Sequence, residues 1–250
     1  MKIIACYSNK GGVGKTATSV NVAYAMAAAG KRTLLCDLDP QGASGFYFRV
    51  KPSKKLVHEA FFKDVEKLTE AIRGSDYDNL DVLPANMSFR DFDVFLSRMR
   101  DSRSRLKKAL KAVKNDYDII VLDCPPSIST LSENVFRSAD AVLVPVIPTT
   151  LSQRTFEQLV AFFKANKLPL EKLHGFFSMV QGIKKLHGET ISDMNAVFKR
   201  RLMRTQIPFA SDVERMGIQR EPVMATAPNS AASKAYRALS EELVKRVSRS

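Results

Sequence analysis

Short, almost continuously apolar runs alternate with amphipathic stretches from one end of the chain to the other. The runs at residues 2–8, 33–37, 80–84, 118–123, 141–146, 174–180 and 204–207 predict strands. Segments such as IIVLD, AVLVPV and GFFSMV lack the apolar/polar alternation of a half-exposed sheet and suit strands covered on both sides. Helical spacing fills the intervals. An alanine-rich helix is expected from Thr16 to Ala29, stopped by Gly30 in a left-handed cap. A longer one is expected from Ser88 to Val113, carrying Phe92, Phe95, Leu96, Met99, Leu106, Leu110 and Val113 on one side. A last one runs from Ser230 to Val247, and the segment Ala43 to Leu56 reads as loop. The pattern predicts an α/β fold: a doubly wound, mostly parallel sheet with helices on both faces, in one domain spanning 1–250.

Composition narrows the class. At 45% hydrophobic and 26% charged, the 250 residues resemble an ordinary soluble domain, and no run approaches the roughly 18–20 apolar residues of a membrane span. The chain enters its first strand directly after Met1 and Lys2, so a cytoplasmic location is expected. Cys6, Cys36 and Cys124 lie in apolar runs without metal-ligand spacing and read as buried small hydrophobes. His58, His174 and His187 read as surface or loop residues.

Charge changes the picture more. The net charge is +13, and the basic excess per residue is larger after residue 150, which points to a polyanionic partner. One cluster comprises Arg98, Arg100, Arg103, Arg105, Lys107, Lys108, Lys111 and Lys114, against Asp101 alone. It reads equally as a solvated helix face or as a binding surface. A second comprises Lys199, Arg200, Arg201 and Arg204, with Lys184, Lys185, Arg215 and Arg220 nearby in sequence. From this group Lys184, Lys185, Lys199, Arg200, Arg204, Arg215 and Arg220 are candidates for contacting the phosphates of such a polyanion. No base-reading element accompanies them, so sequence preference is not expected.

The sharpest chemistry is Asn9-Lys10-Gly11-Gly12-Val13-Gly14-Lys15-Thr16, between the first strand and the first helix. Glycines let successive backbone amides face phosphate oxygens, and the helix start adds its free N–H groups. Lys15 supplies a point charge for the β and γ phosphates, the Thr16 hydroxyl a ligand for Mg²⁺, and Ala17 a backbone amide. The general phosphate-loop pattern has glycine where Asn9 stands, so this is a variant form. Asp37 and Asp39 close the second strand and Asp123 the strand at 118–123, which brings three carboxylates to the edge where ligands bind in such sheets.

These motifs resemble the ParA/MinD family of P-loop ATPases with a deviant Walker A loop, over essentially the whole chain. KGGVGKT is similar to the deviant Walker A, DLDPQG to the Walker A-prime and DCPPS to the Walker B with its following switch; LPAN, DYDIIVLDCPPS and ADAVLVPVIPT are further likenesses. The resemblance implies ATP and Mg²⁺ as cofactors and an ATP-bound homodimer. In it Lys10 reaches the phosphates of the facing copy, Asp39 orients the attacking water, Asp37 belongs to the switch near the metal and Asp123 to the magnesium shell. Pro208 would lie beside adenine, where Phe209-Ala210 replaces the family's frequent Arg-Asn. It also implies non-specific double-stranded DNA as a partner, a nucleoid location, and a cargo-bound protein that stimulates hydrolysis. Two other classes share the fold. A membrane-cycling regulator of the MinD kind would use the C-terminal helix, whose Ala235, Tyr236, Leu239, Leu243 and Val247 share one side, although core packing of that side is favoured over stable insertion. An iron–sulfur carrier would need exposed cysteines.

Overall fold

The computed structural model describes residues 1–248. Its strands are β1 (Lys2–Cys6), β2 (Thr33–Asp37), β3 (Arg73–Gly74), β4 (Leu80–Leu83), β5 (Ile119–Asp123), β6 (Ala141–Val146) and β7 (Leu173–Phe177). They form a seven-stranded sheet in the order β3-β4-β2-β5-β1-β6-β7, parallel throughout except where β3 folds back on β4. The period-two pleat sends alternate residues of each strand to opposite sides. Ile3, Ala5, Leu34, Cys36, Ile120 and Leu122 join a core with the helices Thr130–Ser138, Thr150–Ala165 and Lys185–Phe198. Ile4, Cys6, Leu35, Val121 and Leu143 join a second core with the helices Lys15–Ala28, Ser211–Gln219 and Ala231–Val247. Both faces are therefore covered, as the unbroken apolar character of the strands requires.

The helix Lys15–Ala28 ends as expected. Gly30 takes φ 78°, its N–H donates to Ala27 O, and Lys31 N–H reaches back to Met26 O. The final helix is Ala231–Val247.

Four expectations need correction. The helix expected over 88–113 is broken into the α-helices Phe92–Ser97 and Arg105–Leu110, with 3₁₀ turns around them. The break falls at 98–104, where Asp101 takes a left-handed φ of 59° and the Arg105 guanidinium donates to Arg100 O across the gap. The apolar side survives the break, since Phe92, Leu96, Leu106, Leu110 and Val113 are all buried.

The segment 204–207 is not a strand. Leu202 and Pro208 make single parallel bridges to Gly175 and Val180. Between them the amides of Arg204 and Thr205 donate to the Glu242 carboxylate on the C-terminal helix at 3.0 Å, so they are withdrawn from the sheet edge.

Part of the expected loop at 43–56 is the helix Ala43–Tyr47, which opens at Gly42 with φ 66°. His174 and His187 are buried rather than on the surface: His174 lies in β7, and His187 Nδ1 accepts from the Gln181 amide at 3.1 Å.

Candidate functional site

β1 runs inside the sheet between β5 and β6 and delivers the chain to residues 8–14 at the carboxyl edge of the strands. Gly12 (φ 69°) and Gly14 (φ 92°) adopt left-handed backbone that a side chain would strain. Val13 is buried and anchors the loop, whereas Gly11 and Gly12 face solvent. Gly14 stands at the N-cap of the helix Lys15–Ala28, and no side chain caps that end. The amides at this helix start, including those of Thr16 and Ala17, thus remain for an anion.

Two lysines leave the loop in different directions. Lys15 is 8% exposed and donates from Nζ to Lys10 O at 3.2 Å, lying across the loop. Burial draws its ammonium below the ordinary lysine value, against the opposing pull of Asp123 and Asp39. Lys10 Nζ donates instead to Ser152 Oγ at 3.3 Å, on the helix Thr150–Ala165. Its neighbour Asn9 has a buried Oδ1 with no hydrogen-bond partner.

The three expected carboxylates come together beside this loop. Asp37 and Asp123 end the paired strands β2 and β5 in register, and both are almost wholly buried. Asp37 accepts from the amides of Asp39 at 3.1 Å and Ser44 at 3.0 Å. Asp123 accepts from the hydroxyls of Ser44 at 2.8 Å, Ser19 at 3.0 Å and Thr16. Burial pushes both carboxyls up; the Asp123 charge raises Asp37 further, while the three hydroxyls hold Asp123 back. Asp39 is half-buried and accepts from the Gln41 amide at 3.0 Å.

Among the described residues no cluster of three His, Cys, Asp or Glu makes a cage for a metal. The Asp123 carboxylate with the Thr16 hydroxyl against it is a pair of hard oxygen donors of the kind Mg²⁺ takes, beside waters and phosphate oxygens. Thr16 and Asp123 are the side chains positioned to contribute. The cysteines are buried, and burial pushes the Cys6 thiol to about 12 and those of Cys36 and Cys124 higher still, so none is a ready thiolate ligand.

Pro208 adjoins the other end of the loop. With Gly14, Ala17, Ser178, Met179, Phe209 and Val213 it lines a small hollow of about 60 Å³. Gly14 belongs here for a second reason: a Cβ on it would come within 3.2 Å of Ser178 Oγ.

Ser19, Ser44 and Ser152 escaped the sequence reading. Ser19 carried a signal, since it lies one helical turn after Lys15, whereas the partners of Ser44 and Ser152 are brought by the fold.

The basic candidates are spread more widely. Lys184 and Lys185 open the helix Lys185–Phe198 while Lys199 and Arg200 follow its end, so 14 residues of helix hold the pairs about 20 Å apart. Lys184, Lys199, Arg200, Arg204 and Arg215 are exposed; Lys185 is exposed too and pairs with Glu189 at 3.7 Å. Arg220 is already engaged: its Nε donates to Phe46 O at 3.1 Å and its guanidinium lies 4.6 Å from the Phe46 ring centre.

A family model described as an AAA domain matches residues 1–173. The sporulation initiation inhibitor protein Soj of Bacillus subtilis is 31% identical over 97% of this chain and 98% of its own. The chain belongs to the ParA/Soj family of P-loop ATPases. The chromosome partitioning protein ParA of Myxococcus xanthus is 30% identical over 97% of this chain and 88% of its own. Among solved structures, a cobyrinic acid a,c-diamide synthase from Mycobacterium smegmatis with bound ATP analog and magnesium superposes with a TM-score of 0.79 at 26% identity, over 98% of this chain and 95% of that one. As a ParA/Soj member the chain is an ATPase, of a family concerned with partitioning and positioning.

Proposed function

We propose that the protein is an ATP-driven positioning ATPase that closes into a homodimer on Mg²⁺-ATP. In that state it binds double-stranded DNA without sequence preference, and it releases when a cargo-bound partner protein stimulates hydrolysis. ATP and Mg²⁺ are its cofactors, in keeping with the nucleotide and magnesium bound to related structures.

The observation that carries this reading is the divergence of the two lysines. Lys15 lies over its own loop, whereas Lys10 leaves it for Ser152 on the helix Thr150–Ala165. Two triphosphates facing each other repel unless cations stand between them, so a lysine directed away from its own loop makes dimerisation depend on the γ-phosphate of the facing copy.

The remaining residues divide the work. The amides of Gly11 to Ala17 and the Lys15 ammonium hold the phosphates, Thr16 and Asp123 hold Mg²⁺, and Pro208 borders the base. Bound Mg²⁺ neutralises charge on the transferring phosphoryl group. Asp39, half-buried at the mouth, orients the attacking water, and Asp37 fixes the backbone of the 39–44 segment through two amides. Phosphoryl transfer of this kind needs position and charge, not a side-chain nucleophile.

Lys184, Lys185, Lys199, Arg200, Arg204 and Arg215 are the proposed DNA contacts, which would bring the dimer to the nucleoid; Arg220 is left out because Phe46 holds it. Membrane cycling is disfavoured because Tyr236, Leu239 and Leu243 of the C-terminal helix are buried in the core. Among the described residues no helix is long and apolar enough to cross a membrane.

Light scattering tests the central claim. Wild type should double in mass with Mg²⁺-ATP and not with Mg²⁺-ADP, and Lys10→Ala should bind ATP yet remain monomeric. A Lys10→Ala protein that dimerises like wild type would overturn it.

A further inference from the structure

At the amino-terminal edge of the strands, opposite the nucleotide loop, a solvent-open cleft of about 660 Å³ lies between the segments 101–107, Arg137 and 167–172. Its volume is that of a small-molecule site. Five cations line it: Arg103, Lys107, Arg137, Lys167 and Lys172. They arrive from three separate stretches of chain, so the fold gathers them despite their mutual repulsion.

Little acid compensates them. Asp101 is the one acidic residue of the lining. Glu133, beneath it, is shared by Arg103 at 3.2 Å and Arg137 at 2.8 Å. Lys107, Lys167 and Lys172 have no carboxylate within ion-pair distance among the described residues. Lys172 is half-buried; burial draws its ammonium below the ordinary value and Lys107 adds to that, against the opposing pull of Asp140 and the adjacent Glu171, neither of them within ion-pair distance.

Lys167 adds a backbone argument. It sits at φ 54° directly after the helix Thr150–Ala165 and its cap. Its N–H donates to Lys164 O and that of Leu168 to Phe163 O, the motif that glycine normally closes. A lysine there costs about 1 kcal/mol relative to glycine, and its side chain points a further charge at the cleft.

We propose that this cleft binds a small oligophosphate, a compound with two or more linked phosphoryl groups, at a site separate from the ATPase site. A single phosphate would leave most of the cations and most of the volume unused. A duplex is too wide to enter the concavity and would meet only its rim. The inference is independent of the positioning role.

Calorimetry with inorganic tripolyphosphate tests it, on the full chain with the nucleotide loop saturated by ADP in the absence of magnesium. Wild type should take up one tripolyphosphate. Lys107→Gln with Lys172→Gln should weaken binding about 100-fold, tenfold for each charge-assisted bond removed. ADP affinity and melting temperature should not change, which excludes misfolding. Lys54→Gln with Lys55→Gln removes the same charge from exposed positions elsewhere and should leave binding intact. Absence of saturable binding, or equal loss in the two double variants, would overturn the site. A duplex oligonucleotide that binds where tripolyphosphate does not, with loss in Lys107→Gln and Lys172→Gln, would also overturn it and make the cleft part of a DNA track.

Discussion

Asp37 and Asp123 stand side by side in register at the ends of β2 and β5, both buried and both with raised carboxyl pKa values. Without a cation between them, two such groups strain the site they serve. Asp123→Asn removes one charge and keeps the shape, and the hydroxyls of Ser19 and Ser44 can turn to accept from the new amide. The variant should melt a few degrees higher than wild type without ligand, by about 1–2 kcal/mol, while ATP turnover falls about 100-fold or more. Calorimetric melting beside a phosphate-release assay checks both, and a variant that turns over normally removes Asp123 from the magnesium shell.

Asp39→Ala separates binding from hydrolysis. The Asp39 carboxylate accepts only a local amide from Gln41, so its loss should leave the loop intact. ATP affinity should stay within about twofold and turnover should drop about 100-fold, leaving a long-lived ATP dimer. Size exclusion after ATP addition reads the dimer lifetime.

Lys199→Glu with Arg200→Glu tests the basic end of the helix Lys185–Phe198. DNA affinity should fall, and the slope of log K against log salt should flatten by about 0.9 for each phosphate no longer neutralised. ATPase activity without DNA should be unchanged. Fluorescence anisotropy on two unrelated duplexes should give equal affinities for wild type.

His174 makes stability depend on pH. Burial, reinforced by Arg246 and opposed by Glu242, holds its pKa at about 4 against an ordinary 6.5. Between those values the unfolded chain takes up a proton that the folded chain refuses. Its contribution is therefore complete above pH 6.5 and is lost as pH falls toward 4, by about 3 kcal/mol in all. Urea midpoints at pH 7.5 and 4.5 should differ less in His174→Leu than in wild type.

Where the physics is local, the sequence was readable. Gly12, Gly14, Lys15 and Thr16 announce their geometry because a left-handed turn before a helix start needs those residue types at that spacing. The apolar runs of β1, β2, β5 and β6 announce a sheet covered on both sides. Reading failed where a distant partner decides. Residues 204–207 have strand composition, yet Glu242, almost forty positions away, captures the amides of Arg204 and Thr205, and only Ile207 still donates to β7. The stretch 88–113 keeps a helical stripe, and it is interrupted at Asp101, whose left-handed backbone no glycine announces. The basic cleft was half visible: Arg103 and Lys107 stood out in their cluster, but nothing in the sequence brings Lys167 and Lys172 to them.

The contacts of Arg220 carry a mechanical corollary. Phe46 belongs to the short helix Ala43–Tyr47, which follows Asp39 and contains Ser44, and Arg220 closes the helix Ser211–Gln219, whose Val213 walls the hollow around Pro208. Arg49 reinforces the strut by donating to Arg220 O at 2.7 Å and to Glu221 at 3.2 Å. Any movement of the segment after Asp39 either breaks this strut or carries the wall around Pro208 with it, so the two ends of the site are mechanically joined.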